Sequence, residues 1–161
     1  MLKTDFSKLG GNPLRLAWDR LRNLPGGRAV FSRLVGEVAP YTGTLGAQVE
    51  DLREGYARLR LVQRRRITNH LNSVHAIALM NLGEMCTGVA VMYGMPDSMR
   101  GIPTKLEMEY FRKSRGVLIA ECTCEPVREG ETYDYPVKAT VRNEDGELCG
   151  EFTALWRISP K

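Results

Sequence analysis

The residues best suited to chemistry lie close together: Asn69, Asn72, Ser73, His75 and Glu84, the last inside an apolar run that extends from Val74 to Met95. A carboxylate in such a run can serve as a general base or a nucleophile. An amide such as Asn69 can orient a water or a carbonyl, because it donates and accepts without changing protonation. A helix beginning near Ala76 offers unpaired N–H groups and a partial positive charge, which polarise a carbonyl and hold the oxyanion that attack creates. Glu84 follows His75 by nine residues, which on one helix is half a turn out of phase and about 13 Å along the axis. The two ends cannot meet on one helix, so chemistry that uses both needs a second copy of the chain.

Each residue also has a plainer reading. Asn72 and Ser73 are good helix N-cap types, and His75 reads as a hydrogen-bonding residue at the helix start rather than the proton-transfer group. A purely structural Glu84 would pair with an arginine from another element.

Several elements must position this stretch. Apolar residues at 14, 17, 18 and 21, and again at 30, 31, 34, 35 and 38, recur at helical spacing. Pro25-Gly26-Gly27 separates them, predicting two short amphipathic helices that end near Pro40, their arginines facing solvent. Lipid-surface or lid duty is the secondary reading for this pair. Beyond Gly43 the period becomes two. Leu45, Ala47 and Val49 share one face of a strand, and Ala57, Leu59 and Leu61 one face of the next, joined through Glu54-Gly55. Arg64-Arg65-Arg66 leads into the Asn69 loop, as a solvated run or as a contact for phosphates. After the helix and the Gly94–Gly101 loop, Leu106, Met108 and Tyr110 alternate with charged residues. Tyr133 to Val141 alternates next, Asn143-Glu144-Asp145-Gly146 makes a hairpin turn, and Leu148, Phe152, Ala154 and Trp156 line the last strand. Two helices, two strands, a buried helix and about four strands compose an α+β chain, with a six-stranded antiparallel sheet curved around the central helix.

Composition narrows the class. The chain has 161 residues, 43% hydrophobic and 26% charged, which suits one domain with a sizeable core: a helical extension over 1–42 and a core over 43–161. The net charge of +4 favours anionic partners without naming one. No aromatic RNA-binding signature, zinc finger or recognition helix supports nucleic acid. Residues 1–8 carry no apolar export segment, so a cytoplasmic location is expected. His75, Asn81, Glu84 and Thr87 argue against a membrane span for the apolar run. Cys86, Cys122, Cys124 and Cys149 form no C-x2-C pair, so reduced, mostly buried thiols are expected and no metal site.

Asn69, His75, Ala76 and Glu84, with the strand order over residues 43 to 158, resemble the hotdog-fold acyl-CoA thioesterases, in particular the PaaI-like ones. That resemblance implies a hotdog fold, hydrolysis of an acyl-CoA thioester, no cofactor besides the substrate's own coenzyme A, and a homodimer or homotetramer. Within it, Glu84 is the base or nucleophile and is supplied by the dimer mate of the helix N-terminus. Ala76 supplies the oxyanion amide, Asn69 orients water or carbonyl, and Asn72, Ser73, Thr87 and Thr104 are secondary polar contacts. Arg112, Lys113 and Arg115 are the cations for coenzyme A phosphates, and Met80, Met85 and Met92 line the acyl chain. Ala76 and Asn72 stand where relatives often have Gly, and Gly88 where some have a hydroxyl. Two other activities fit the same resemblance: non-catalytic binding of acyl-CoA or fatty acid, and hydration or dehydration of an acyl thioester.

Overall fold

The computed structural model describes residues 11–161, so the reading of residues 1–8 as free of an export segment lies outside the described residues. Three short helices come first: α1 (Pro13–Leu21), α2 (Gly27–Val38) and α3 (Pro40–Gly43). Strands β1 (Gln48–Arg53) and β2 (Tyr56–Val62) follow, then a 3-10 turn at Arg65–Ile67 and the long helix α4 (Ala76–Tyr93). The chain closes with β3 (Met99–Tyr110), β4 (Val117–Thr123), β5 (Tyr133–Asn143) and β6 (Leu148–Pro160).

The six strands form one antiparallel sheet in the order β1-β2-β4-β5-β6-β3, and α4 packs against all of them. This is the hotdog fold. Alternation explains the packing: Ala57, Leu59 and Leu61 of β2, and Val137, Ala139 and Val141 of β5, are buried beneath Leu79, Leu82, Cys86 and Val89 of α4. Each fully buried large side chain contributes about 1.5–3 kcal/mol. Among the described residues only α4 is long and apolar enough to cross a membrane, and it is mostly buried within the protein.

Gly83 fixes how closely helix and sheet approach. A Cβ there would stand 2.3 Å from the Phe152 ring, so glycine is required by the contact. Gly88 is different, with the nearest side-chain atom, from Trp156, at 3.8 Å.

The hairpin turns fall where the sequence places them, with Gly55 and Gly146 at φ of +68° and +77°. Three features differ. The first strand begins at Gln48, leaving Leu45 and Ala47 buried in the connection before it, and a bulge between Val49 and Asp51 returns Leu52 to the buried face. The helical pair is followed by an extra turn, α3, started by Pro40 at its first position. Arg15 is not a solvated arginine: its guanidinium donates to the Tyr93 carbonyl at 2.8 and 3.0 Å, and the Asn12 amide donates to the Met92 carbonyl at 2.6 Å. Thus α1 caps the C-terminus of α4, and Trp18 and Phe31, edge to face at 5.0 Å, seat the helical pair on the core.

The four thiols are free, three of them buried. Cys124 lies just beyond β4, and the neighbouring Cys122 thiol lowers its pKa.

Candidate active site

The loop before α4 is built around Asn69. Its side-chain oxygen accepts from the Leu71 N–H at 3.0 Å, the Ser73 N–H at 3.2 Å and the Ser73 hydroxyl at 3.2 Å. This Asx-type turn holds buried Ser73 in place, and among the described residues the Asn69 NH2 has no acceptor. Asn72 takes φ of +52°, a conformation that glycine and asparagine tolerate best, which explains asparagine at a position where glycine also serves. The Val74 N–H donates to the Ser114 carbonyl at 2.7 Å and the His75 N–H to the Ile67 carbonyl at 2.8 Å.

His75 is the N-cap of α4, and its Nδ1 accepts from the Ile77 N–H at 3.1 Å. That capping role matches its reading as a structural residue. The Ala76 N–H has no acceptor among the described residues. The Tyr110 hydroxyl donates to the Ala76 carbonyl at 2.9 Å, tying this first turn to β3. Asn69, Ser73, Ala76, Arg112 and Lys113 border one cavity of about 260 Å³ at the helix start.

Glu84 opens elsewhere, into a cavity of about 330 Å³ with Tyr41, Thr42, Ile77, Met80, Asn81, Pro103 and Leu106. Its carboxylate is half-buried, and burial raises its pKa. No arginine or lysine pairs with it among the described residues, so the structural ion pair considered from the sequence is absent there. Within one chain the Glu84 cavity and the Ala76 cavity are separate.

The remaining candidates scatter. Thr87 is fully buried, its hydroxyl donating to the Gly83 and Glu84 carbonyls at 3.1 and 3.2 Å. Thr104 sits at a bulge of β3 and donates to the Leu155 carbonyl at 3.1 Å. Arg115 braces the Asn69 loop, donating to the Asn72 carbonyl at 2.9 Å and the Leu71 carbonyl at 3.1 Å. Arg112 pairs with Glu147, and exposed Lys113 has no ion pair among the described residues. Met80 borders the Glu84 cavity, Met85 a separate groove beside α2, and Met92 neither. Arg64 donates to the Leu45 carbonyl, while Arg65 lines an open cleft with Asn69, His70 and Asn72.

Asn81 escaped the sequence reading as a site residue, although it precedes Glu84 by three positions and so shares its helix face. Edge strand β3 also carries apolar side chains that alternation alone would bury: Ile102 is 64% exposed and Leu106 39%.

The model of a domain of unknown function, DUF4442, matches residues 27–158. A proposed esterase of Halobacterium salinarum is 33% identical over 93 residues, which cover 55% of this chain; the match spans about 60% of that protein's length. A structural-genomics crystal structure is similar at a TM-score of 0.80 and 26% identity, covering 92% of this chain and 99% of that one. A Pseudomonas aeruginosa protein of unknown function, described as a probable thioesterase, has a TM-score of 0.74 at 24% identity, covering 86% and 97%. A Staphylococcus aureus thioesterase has a TM-score of 0.66 at 11% identity, covering 75% and 99%. Likeness at these low identities establishes the fold.

Proposed function

The chain belongs to the DUF4442 family, and from that membership, its hotdog fold and its unpaired Glu84 we propose that it is a homodimeric hydrolase of acyl-CoA thioesters. One observation carries the reading: Glu84 is a half-buried carboxylate with a raised pKa, free of any cation among the described residues, at the wall of an otherwise largely apolar cavity. A group so placed is poised for proton abstraction or attack.

The chemistry needs an oxyanion donor, and the free Ala76 N–H supplies one. Both cavities border β3: Pro103 and Leu106 line the Glu84 cavity, Tyr110 the Ala76 cavity. Pairing two copies of this edge strand about a two-fold axis near Glu107 sets the region of Pro103 and Leu106 against Tyr110 of the other copy. Glu84 of one protomer then faces the helix start of its mate. The exposed Ile102 and Leu106 are covered in the same step.

In the proposed reaction the thioester carbonyl accepts from Ala76 N–H, and Glu84 takes a proton from an attacking water or attacks directly. The tetrahedral adduct collapses with expulsion of the coenzyme A thiolate, which on the water route takes the proton held by Glu84; on the direct route water then cleaves the acyl–Glu84 anhydride to release the acid and restore the carboxylate. The Asn69 NH2 orients the carbonyl or the water. Lys113 and Arg112 at the rim attract the phosphates. Two solved forms of the Staphylococcus aureus thioesterase carry alanine in place of a Gln and a Glu fifteen positions apart. Asn69 and Glu84 have the same separation, which supports assigning them as a pair.

The test is hydrolysis of acyl-CoAs of graded length by the wild type and by Glu84→Ala, both verified as folded and of equal size. Turnover that collapses in the variant is the expected result. Binding without turnover at any length would replace this reading with that of an acyl-CoA binding protein.

A further inference from the structure

Within the Glu84 cavity two buried polar side chains have no task in the reaction as described. Asn81 is 7% exposed and Thr42 9%, and neither side chain has a hydrogen-bond partner among the described residues. The other walls, apart from Glu84 and the exposed Tyr41, are apolar: Ile77, Met80, Pro103 and Leu106. The polar atoms of Asn81 and Thr42 are not among those sealed from solvent, so they open onto this cavity; leucine would fill the volume of Asn81 but offer a ligand no hydrogen bond. An amide here therefore points to a ligand that completes it.

We infer that Asn81 is a specificity-determining residue that selects acyl groups carrying a hydroxyl or carbonyl on the second or third carbon; this rests on the thioesterase reading above. Asn81 precedes Glu84 by three residues on α4, so their Cβ atoms are about 5–6 Å apart. A substituent held by Asn81 lies within a few bonds of the carbon that Glu84 serves, not at the far end of the chain. The amide donates and accepts, so it takes a hydroxyl or an oxo group equally well. An acid substituent is disfavoured, because it would set a second carboxylic group beside Glu84 and no cation lines this cavity among the described residues. An unsubstituted alkyl chain leaves the amide unpaired, which penalises it. Thr42, from α3, supplies a second hydrogen-bonding group, giving the helical extension a part in the acyl pocket.

The experiment compares octanoyl-CoA with 2-hydroxy-, 3-hydroxy- and 3-oxooctanoyl-CoA, using wild type, Asn81→Leu and Asn81→Ala, with melting and oligomer size recorded for each. The wild type is expected to favour at least one substituted substrate by roughly tenfold or more in kcat/KM. Asn81→Leu should erase or reverse that preference, and Asn81→Ala should weaken it, with oligomer size unchanged. Turnover without preference in the wild type, or a preference that both variants retain, overturns the inference while leaving the thioesterase reading intact. Asn81→Leu and Asn81→Ala that both dissociate into monomers also overturn it, because the amide would then serve the subunit contact. No hydrolysis of any of the four substrates overturns the thioesterase reading and this inference with it.

Discussion

Ala76 and Glu84 stand on one helix yet open into different cavities, one walled by Tyr110 and Arg112 and the other by Pro103 and Leu106. Eight residues of helix set them about 12 Å apart along the axis. If the active site joins them, it joins them across copies, and the first prediction follows. Leu106→Glu puts a charge on the apolar edge of β3 and should convert a dimer to monomers in light scattering. Hydrolysis should fall about 100-fold or more with it. A fully active monomer would sink the shared-site reading.

The second concerns pH. Burial raises the Glu84 pKa above its ordinary value, so between the two values the folded chain holds a proton that the unfolded chain has released. Stability therefore falls as pH rises through that window and stays lowered above it. Glu84→Gln removes the effect: the variant should melt higher than wild type at pH 7 and equally at a pH below about 4. The acid limb of wild-type kcat/KM should correspondingly lie above the usual carboxylate range. An acid limb at the ordinary value, with a variant that is never more stable, would remove Glu84 as a buried base.

The two helix glycines should behave oppositely. Gly83→Ala forces a methyl group to within 2.3 Å of the Phe152 ring and should destabilise by about 1–3 kcal/mol. Gly88→Ala meets only ordinary contact with Trp156 and should gain up to about 1 kcal/mol from helix propensity. Chemical denaturation of the two variants checks both signs.

The neighbouring Cys122 thiol lowers the Cys124 pKa, and Cys124 is the one thiol of the four that is not buried, while burial raises Cys86. At neutral pH a maleimide should label Cys124 first, and Cys124→Ser should abolish the fast phase. Labelling that is unchanged in Cys124→Ser would refute the assignment.

Legibility from sequence followed locality. The turns at Gly55 and Gly146 and the alternation of β2 and β5 are written in neighbouring residues, so they read directly. The bulge at β1 did not, because it depends on pairing with β2 and not on the residues of β1 alone. Arg115 was expected at a phosphate but braces the Asn69 loop, since only the fold brings the Leu71 and Asn72 carbonyls to it. The spacing of Asn69, His75 and Glu84 placed the loop, the helix start and the half-buried acid, though not the cap, which is His75 and not Asn72 or Ser73, the expected cap types. It did not reveal the Asn12 and Arg15 caps on α4, which connect residues some eighty positions apart.

The strand order carries a consequence for the chain as it leaves the ribosome. β3 is made third among the strands, but among the described residues its one neighbour in the sheet is β6, the last strand in chain order. Until β6 emerges, β3 has no strand partner on either side within its own chain, and adjacent nascent copies can pair with it. Completion of β6 is thus the step that covers one side of β3, while the other side stays open for a second copy. Late truncations should send the protein into aggregates, even though residues 69–84 have already been synthesised.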